Sequence, residues 1–132
     1  MEYTLEPQLA AGEFAAVLRA CTLGGRRPVD DLARLDAMLR KADIIATARK
    51  DGRLVGVARA VTDFSYCCYL SDLAIEESCQ RQGIGRRLIE EVQRAAGEQA
   101  MLVLLAAPGA EGYYPKIGLK PHPSAWLIPR KR

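Results

Sequence analysis

The chain has 132 residues, 49% apolar and 27% charged, a globular composition that excludes disordered, collagen-like and coiled-coil architectures. Its 19 basic and 16 acidic residues leave a net charge of +3, which Arg130-Lys131-Arg132 alone supplies, so the body is neutral and no basic stripe points to nucleic acid. The longest apolar run, Ala100 to Ala107, falls well short of the roughly 20 residues of a membrane span, and no basic, apolar leader follows Met1-Glu2. A single soluble domain over residues 1–132, in the cytoplasm, is expected.

The four cysteines, Cys21, Cys67, Cys68 and Cys79, show no C-x-x-C spacing, so no metal site is implied. Gln8 to Cys21 spaces Leu9, Phe14, Val17, Leu18 and Cys21 at helical intervals before Gly24-Gly25. A second helix is predicted from Pro28, with Asp30-Asp31 in its first turn and Leu32, Leu35 and Leu39 on its buried face. Ile44 to Arg49 and Leu54 to Val61 are β-branched strands joined by an Asp51-Gly52 hairpin turn. Cys67 to Ile75 reads as a further strand.

A helix follows Gln82, with Ile84, Leu88, Ile89, Val92 and Ala96 on one face and Arg86-Glu90 and Glu90-Arg94 pairs on the other, and Gly97 ends it. Met101 to Ala106 has the continuous apolar pattern of a strand buried on both faces, reached by a crossover helix, so residues 67–106 form a βαβ unit. A short helix over Ala110 to Lys116 and an irregular strand over Leu119 to Ile128, interrupted by Pro121 and Pro123, complete a three-layer sandwich on a mixed sheet.

The segment Gln80-Arg81-Gln82-Gly83-Ile84-Gly85-Arg86-Arg87 lies between a strand and a helix. Its glycines let the backbone pass close to a ligand, and the first helical amides with the helix dipole form a site for phosphate or pyrophosphate. A Walker loop is excluded because G-x-x-x-x-G-K-[ST] is absent, and the dinucleotide fingerprint because Leu88 stands where its third small residue belongs.

Gln-x-x-Gly-x-Gly entering a helix directly after Asp72-Leu73-Ala74-Ile75 resembles the acetyl-CoA pyrophosphate loop of the GCN5-related N-acetyltransferase (GNAT) family. Tyr113-Tyr114-Pro115-Lys116-Ile117-Gly118-Leu119 is similar to a second signature of that family, with Leu119 in place of its usual aromatic, and the likeness covers about residues 43 to 128. The resemblance implies an α/β fold: a three-layer α/β/α sandwich on a mixed, mostly antiparallel sheet with a central parallel strand pair. It implies an acetyl-CoA-dependent N-acetyltransferase that moves an acetyl group to a primary amine by direct attack in a ternary complex. The alternative is a catalytically silent acyl-CoA sensor of the same fold. By the same resemblance, a homodimer is the family's habit, and the acceptor site is built from the first two helices and the outer loops.

The family's residues carry over to this chain position by position. Leu73, Ala74 and Ile75 would bind the pantetheine arm, with the amide of Leu73 or Ala74 polarising the thioester carbonyl. Gln80, Arg81, Gln82, Gly83, Ile84, Gly85 and Arg86 would hold the pyrophosphate. Tyr114 would protonate the leaving thiolate, with Tyr113 as its packing partner. Relatives that modify protein lysines carry a glutamate on this strand where Tyr69 stands here. Asp72, Asp63 and Glu76 are therefore the candidates for a water-relayed base or for holding a cationic acceptor. Cys67 and Cys68, pointing to opposite faces of a strand and without a histidine neighbour, read as buried apolar residues, and His122 and Trp126 as structural.

Overall fold

The computed structural model describes the whole chain, Met1 to Arg132, and its sheet grows outward from the hairpin at Asp51-Gly52. Both turn residues have positive φ, 51° and 82°, the combination a tight two-residue turn requires. The turn joins β2 (Ile44–Lys50) to β3 (Arg53–Thr62), and β4 (Cys67–Ile75) adds antiparallel to β3. Asp63 fixes the β3–β4 turn by accepting the amide N–H groups of Ser65, Tyr66 and Cys67. Crossover helix α3 (Ile84–Ala96) then brings β5 (Met101–Leu104) back parallel to β4, completing the expected βαβ unit.

The helices cover both faces of this sheet. On one side α3 buries Ile84, Leu88, Ile89, Val92 and Ala96 against Ala46, Ala48, Val55, Ala58, Ala60, Cys68 and Leu70. On the other, α1 (Ala11–Arg19) and α2 (Leu32–Arg40) bury Phe14, Val17, Leu18, Leu35 and Leu39 against Ile45, Leu54, Val57 and Ala74. Each fully buried leucine removes enough apolar surface from water to contribute about 1.5 to 3 kcal/mol. The result is the three-layer arrangement expected from the element order.

One irregularity decides how β4 is used. Arg59 pairs with Asp72, but the next β3 residue, Ala60, pairs with Leu70, so Ser71 is an unmatched bulge residue. Before it, Cys68 and Leu70 face α3; after it, Asp72 and Ala74 face α1 and α2. The parallel pairing with β5 also stops there, at Leu70 and Leu104.

Several expectations need correction. A first strand, β1 (Glu2–Leu5), pairs with β2 and was not foreseen, because four residues at a sheet edge carry too little pattern. Asp31 is the N-cap of α2, accepting from the Arg34 amide, and is not inside the helix. Arg94 pairs with Glu91, not Glu90. Residues 119–128 add no strand, so β5 ends the sheet and the parallel pair stands at its edge, not its centre. For the same reason β5 is not buried on both faces: Met101 is 65% and Val103 44% exposed. Trp126, read as structural, is 92% exposed.

Candidate functional site

Beyond Leu70 and Leu104 the two parallel strands separate, and a cavity of about 960 Å3 opens between them, a volume suited to an extended small-molecule ligand. Leu73 and Ile75 of β4 and Leu104 and Leu105 form its apolar walls. Gln80, Arg81, Gly83, Ile84, Gly85 and Arg86 close one end, and Cys21, Thr22, Leu23, Arg26 and Arg27, from the α1–α2 connection, form a further wall. Tyr113, Tyr114 and Lys116 enter from α4 (Tyr113–Lys116).

The glycine end is shaped by backbone conformation. Gly83 is the N-cap of α3 at φ 82° and ψ 6°, a left-handed geometry that glycine adopts without the cost a side chain would add. Arg81 shares that region, at φ 65°, so the loop carries two such residues within three positions. Gly85 is needed for a different reason: a Cβ there would stand 2.5 Å from the Tyr113 hydroxyl and 3.3 Å from Ile75 Cδ1. The exposed amides of the first α3 turn, with the helix dipole and Arg81 and Arg86 alongside, form a cradle that fits a pyrophosphate. Gln80 steadies the loop by donating its side-chain amide to the Ile75 carbonyl at 3.0 Å. Gln82 belongs to the same loop but does not line the cavity.

Strand alternation selects which β4 backbone groups face the cavity. The Ser71 carbonyl accepts from Arg27 and the Ile75 carbonyl from Gln80, both away from β3, whereas the Glu76 amide donates to Val55 of β3. Leu73, two residues from each of those carbonyls, therefore turns its amide toward the cavity. Ala74 faces the other way, lies buried among Val57 and its neighbours on the α1–α2 side, and does not line the cavity. Leu73, not Ala74, supplies an amide that could meet a carbonyl there.

Of the two tyrosines, Tyr114 is the more buried and packs against the α3-side core, with the Tyr113 ring edge-on at 5.2 Å. Desolvation raises both phenols above their ordinary value, so both are protonated at neutral pH. Tyr113 is more than a packing partner: its hydroxyl lies against Gly85 at the start of α3.

Each carboxylate singled out in the sequence is already engaged. Asp72 has no exposed side-chain surface and is held by Arg27 on one oxygen and Arg59 on the other. Asp63 accepts three amides that hold its carboxyl down at about 2. Glu76 pairs with Arg53, which lowers its value further with help from Ser78. None is a free base. Cys67 is exposed beside Asp63, Cys68 is buried in the core, and neither lines the cavity. Cys21 and Cys79 do line it, a placement no spacing revealed because each comes from a different connection. Burial raises the Cys21 thiol, and its Sγ donates to the Leu18 carbonyl, so it is a poor thiolate. His122 lies outside the cavity, its Nδ1 accepting from the Ser124 amide.

Comparison with known proteins bears on this arrangement. A soybean (Glycine max) protein named histone acetyltransferase TAP1 is 27% identical over 111 residues, 74% of this chain and 47% of its own length. The chain thus spans about half the length of the curated relatives it matches. Among solved structures, a Staphylococcus aureus protein described as a probable acetyltransferase superposes with a TM-score of 0.82 at 20% identity, covering 99% of this chain and 98% of that one. Aminoglycoside N-acetyltransferase AAC(6')-Iy in complex with CoA superposes with a TM-score of 0.74 at 18% identity, covering 99% and 95%. The model of the Acetyltransferase (GNAT) family matches residues 13–119, and the chain belongs to that family.

Proposed function

We propose that the protein is an acetyl-CoA-dependent N-acetyltransferase that acts on a primary amine by direct attack, without a covalent enzyme intermediate. The observation that carries this reading is the cavity between the parting strands β4 and β5, with helix-terminal amides at one end and a half-buried tyrosine in its wall. Family membership and the CoA complex of a protein of the same fold support it. Bound there, acetyl-CoA supplies the activated acetyl group.

The chain's own residues then have separable tasks. The amides of Gly83 to Arg86, with Arg81 and Gln80, bind the pyrophosphate. Leu73 and Ile75 line the pantetheine arm. The Leu73 amide donates to the thioester oxygen as negative charge builds on it, where one preorganised donor in a dry site is worth about 3 kcal/mol. As the amine nitrogen bonds to the carbonyl carbon and the C–S bond breaks, the Tyr114 hydroxyl gives its proton to the departing sulfur and recovers one from solvent. The amine's proton leaves to water. The assignment of one domain to residues 1–132, a cytoplasmic setting and a homodimer belong to the same proposal.

A second reading, a CoA-binding sensor without turnover, is favoured by one observation: Asp63, Asp72 and Glu76 are all committed elsewhere. Free-thiol release from acetyl-CoA over a panel of amines separates the two, since a sensor releases none. With a working acceptor, Tyr114→Phe should lower kcat about 10²- to 10⁴-fold with little change in CoA affinity measured by calorimetry. An unchanged kcat would remove Tyr114 from the proton path. A large loss of CoA affinity would make it a cofactor-binding residue.

A further inference from the structure

Where β4 and β5 part, the charges behind the cavity wall do not balance. Two guanidinium groups, Arg27 and Arg59, enclose the single carboxylate Asp72, leaving one positive charge in excess in a largely buried setting. Arg27 also donates to the Ser71 carbonyl at 2.8 Å, which ties the α1–α2 connection to the bulge itself. Its neighbour Arg26 lines the same cavity and is exposed, and its guanidinium enters no hydrogen bond or ion pair. The one acidic side chain on the lining is Glu77, past the C-terminal end of β4, against three arginines besides Arg27 from the α1–α2 connection and the glycine loop. Lys116 adds a further cation from α4.

Arg26 and Arg27 come from the α1–α2 connection, whereas the cradle for the pyrophosphate is built from residues 80–86. A guanidinium with all its donors free beside a net positive cluster is a site for a carboxylate. The same field disfavours an ammonium ion, so an amine entering there gives up its proton more readily than in water. That matches a site in which no free carboxylate base stands ready.

We infer that the acceptor is a small amine bearing a carboxylate, an α-amino acid in its simplest form, with the carboxylate on Arg26 and the amino group turned toward the Leu73 amide. This rests on the acetyl-transfer reading above. A polycation or a lysine-rich peptide would instead meet Arg26, Arg27 and Lys116 with like charge.

The test measures thiol release from acetyl-CoA with matched acceptors: amino acids, the same compounds as amides, their decarboxylated amines, and spermidine. The free amino acids should be preferred. Because a hydrogen bond to a charged group is at stake, Arg26→Gln should raise their KM about 10- to 100-fold, with a smaller change in kcat and none for the decarboxylated amines. Arg26→Glu should reverse the preference toward cationic amines. Equal or better rates with amides, decarboxylated amines or spermidine in the wild-type protein would overturn the inference while leaving acetyl transfer intact, as would an unchanged KM in both variants. No thiol release with any amine, despite CoA binding by calorimetry, would overturn the acetyl-transfer reading itself and this inference with it.

Discussion

β3 and β5 flank the same strand, yet one is the most enclosed strand of the sheet and the other buries none of its residues. Of the ten residues of β3, all but Arg53 and Val61 are buried, whereas no residue of the four-residue β5 is. β3 is clamped along its length by antiparallel pairing and covered by α3 on one face and α1 and α2 on the other. β5 is paired on one side only and for four residues. A groove between two strands needs one wall that does not move and one that can end early. Here the enclosed side supplies the first and the exposed edge the second.

Three measurements would break or sharpen that contrast. The largest effect is expected at the Asp72 cluster, which fixes the rigid wall to the α1–α2 connection. Asp72→Ala leaves Arg59 largely buried without its partner and should cost about 3 to 5 kcal/mol in urea unfolding. A loss below about 1 kcal/mol would mean the arginines find water or new partners, and the wall is softer than its burial suggests.

The second compares a fully buried side chain with an exposed one. Leu88→Ala, beneath β3 on α3, should cost about 2 to 5 kcal/mol, while Val103→Ala on β5 should stay within about 0.5 kcal/mol. Equal losses at the two sites would show that β5 is covered in solution by something that reaches its free edge.

The smallest effect concerns the turn before β4. Asp63 is expected to titrate near 2 by NMR, below its ordinary 3.8, because three amides favour the charged form. The folded value is the lower one, so the cap's stabilisation is fully present above 3.8 and is lost as pH falls through about 2. A measured value near 3.8 would mean the cap is open in solution.

The elements read most easily from the sequence were those whose signal is local. The Asp51-Gly52 turn, the apolar stripe from Ile84 to Ala96 and the glycine pair at Gly83 and Gly85 each carry their reason within a few residues. What escaped depends on partners distant in the chain. Asp72 looks like an available carboxylate until Arg27 and Arg59, brought from two other elements, close around it. Ala74 and Leu73 are indistinguishable by composition, and only the register with β3 says which one faces the groove. Met101 to Ala106 has the composition of an interior strand, but interior placement needs a neighbour, and residues 119–128 do not provide one. The prolines at 121 and 123 lack the N–H groups a paired strand would use.

The bulge at Ser71 behaves like a shift of reading frame written in the third dimension. Upstream of it, even-numbered positions of β4 point toward α3; downstream, they point toward the opposite layer. Removing that one residue would make Leu70 and Asp72 consecutive, and simple alternation would then set them on the opposite faces they already occupy, with the pairs Arg59–Asp72 and Ala60–Leu70 kept. What the two cores cannot accept is Ser71 drawn into the ladder as an ordinary paired residue: Leu70 and Asp72 would then share a face, throwing Cys68 and Leu70 out of the α3 core or carrying Asp72 into an apolar layer that holds no arginine to receive it. A strand that must serve two cores therefore holds its phase through the bulge itself, and relatives that keep both cores should show either the bulge with its extra residue or a regular ladder one residue shorter.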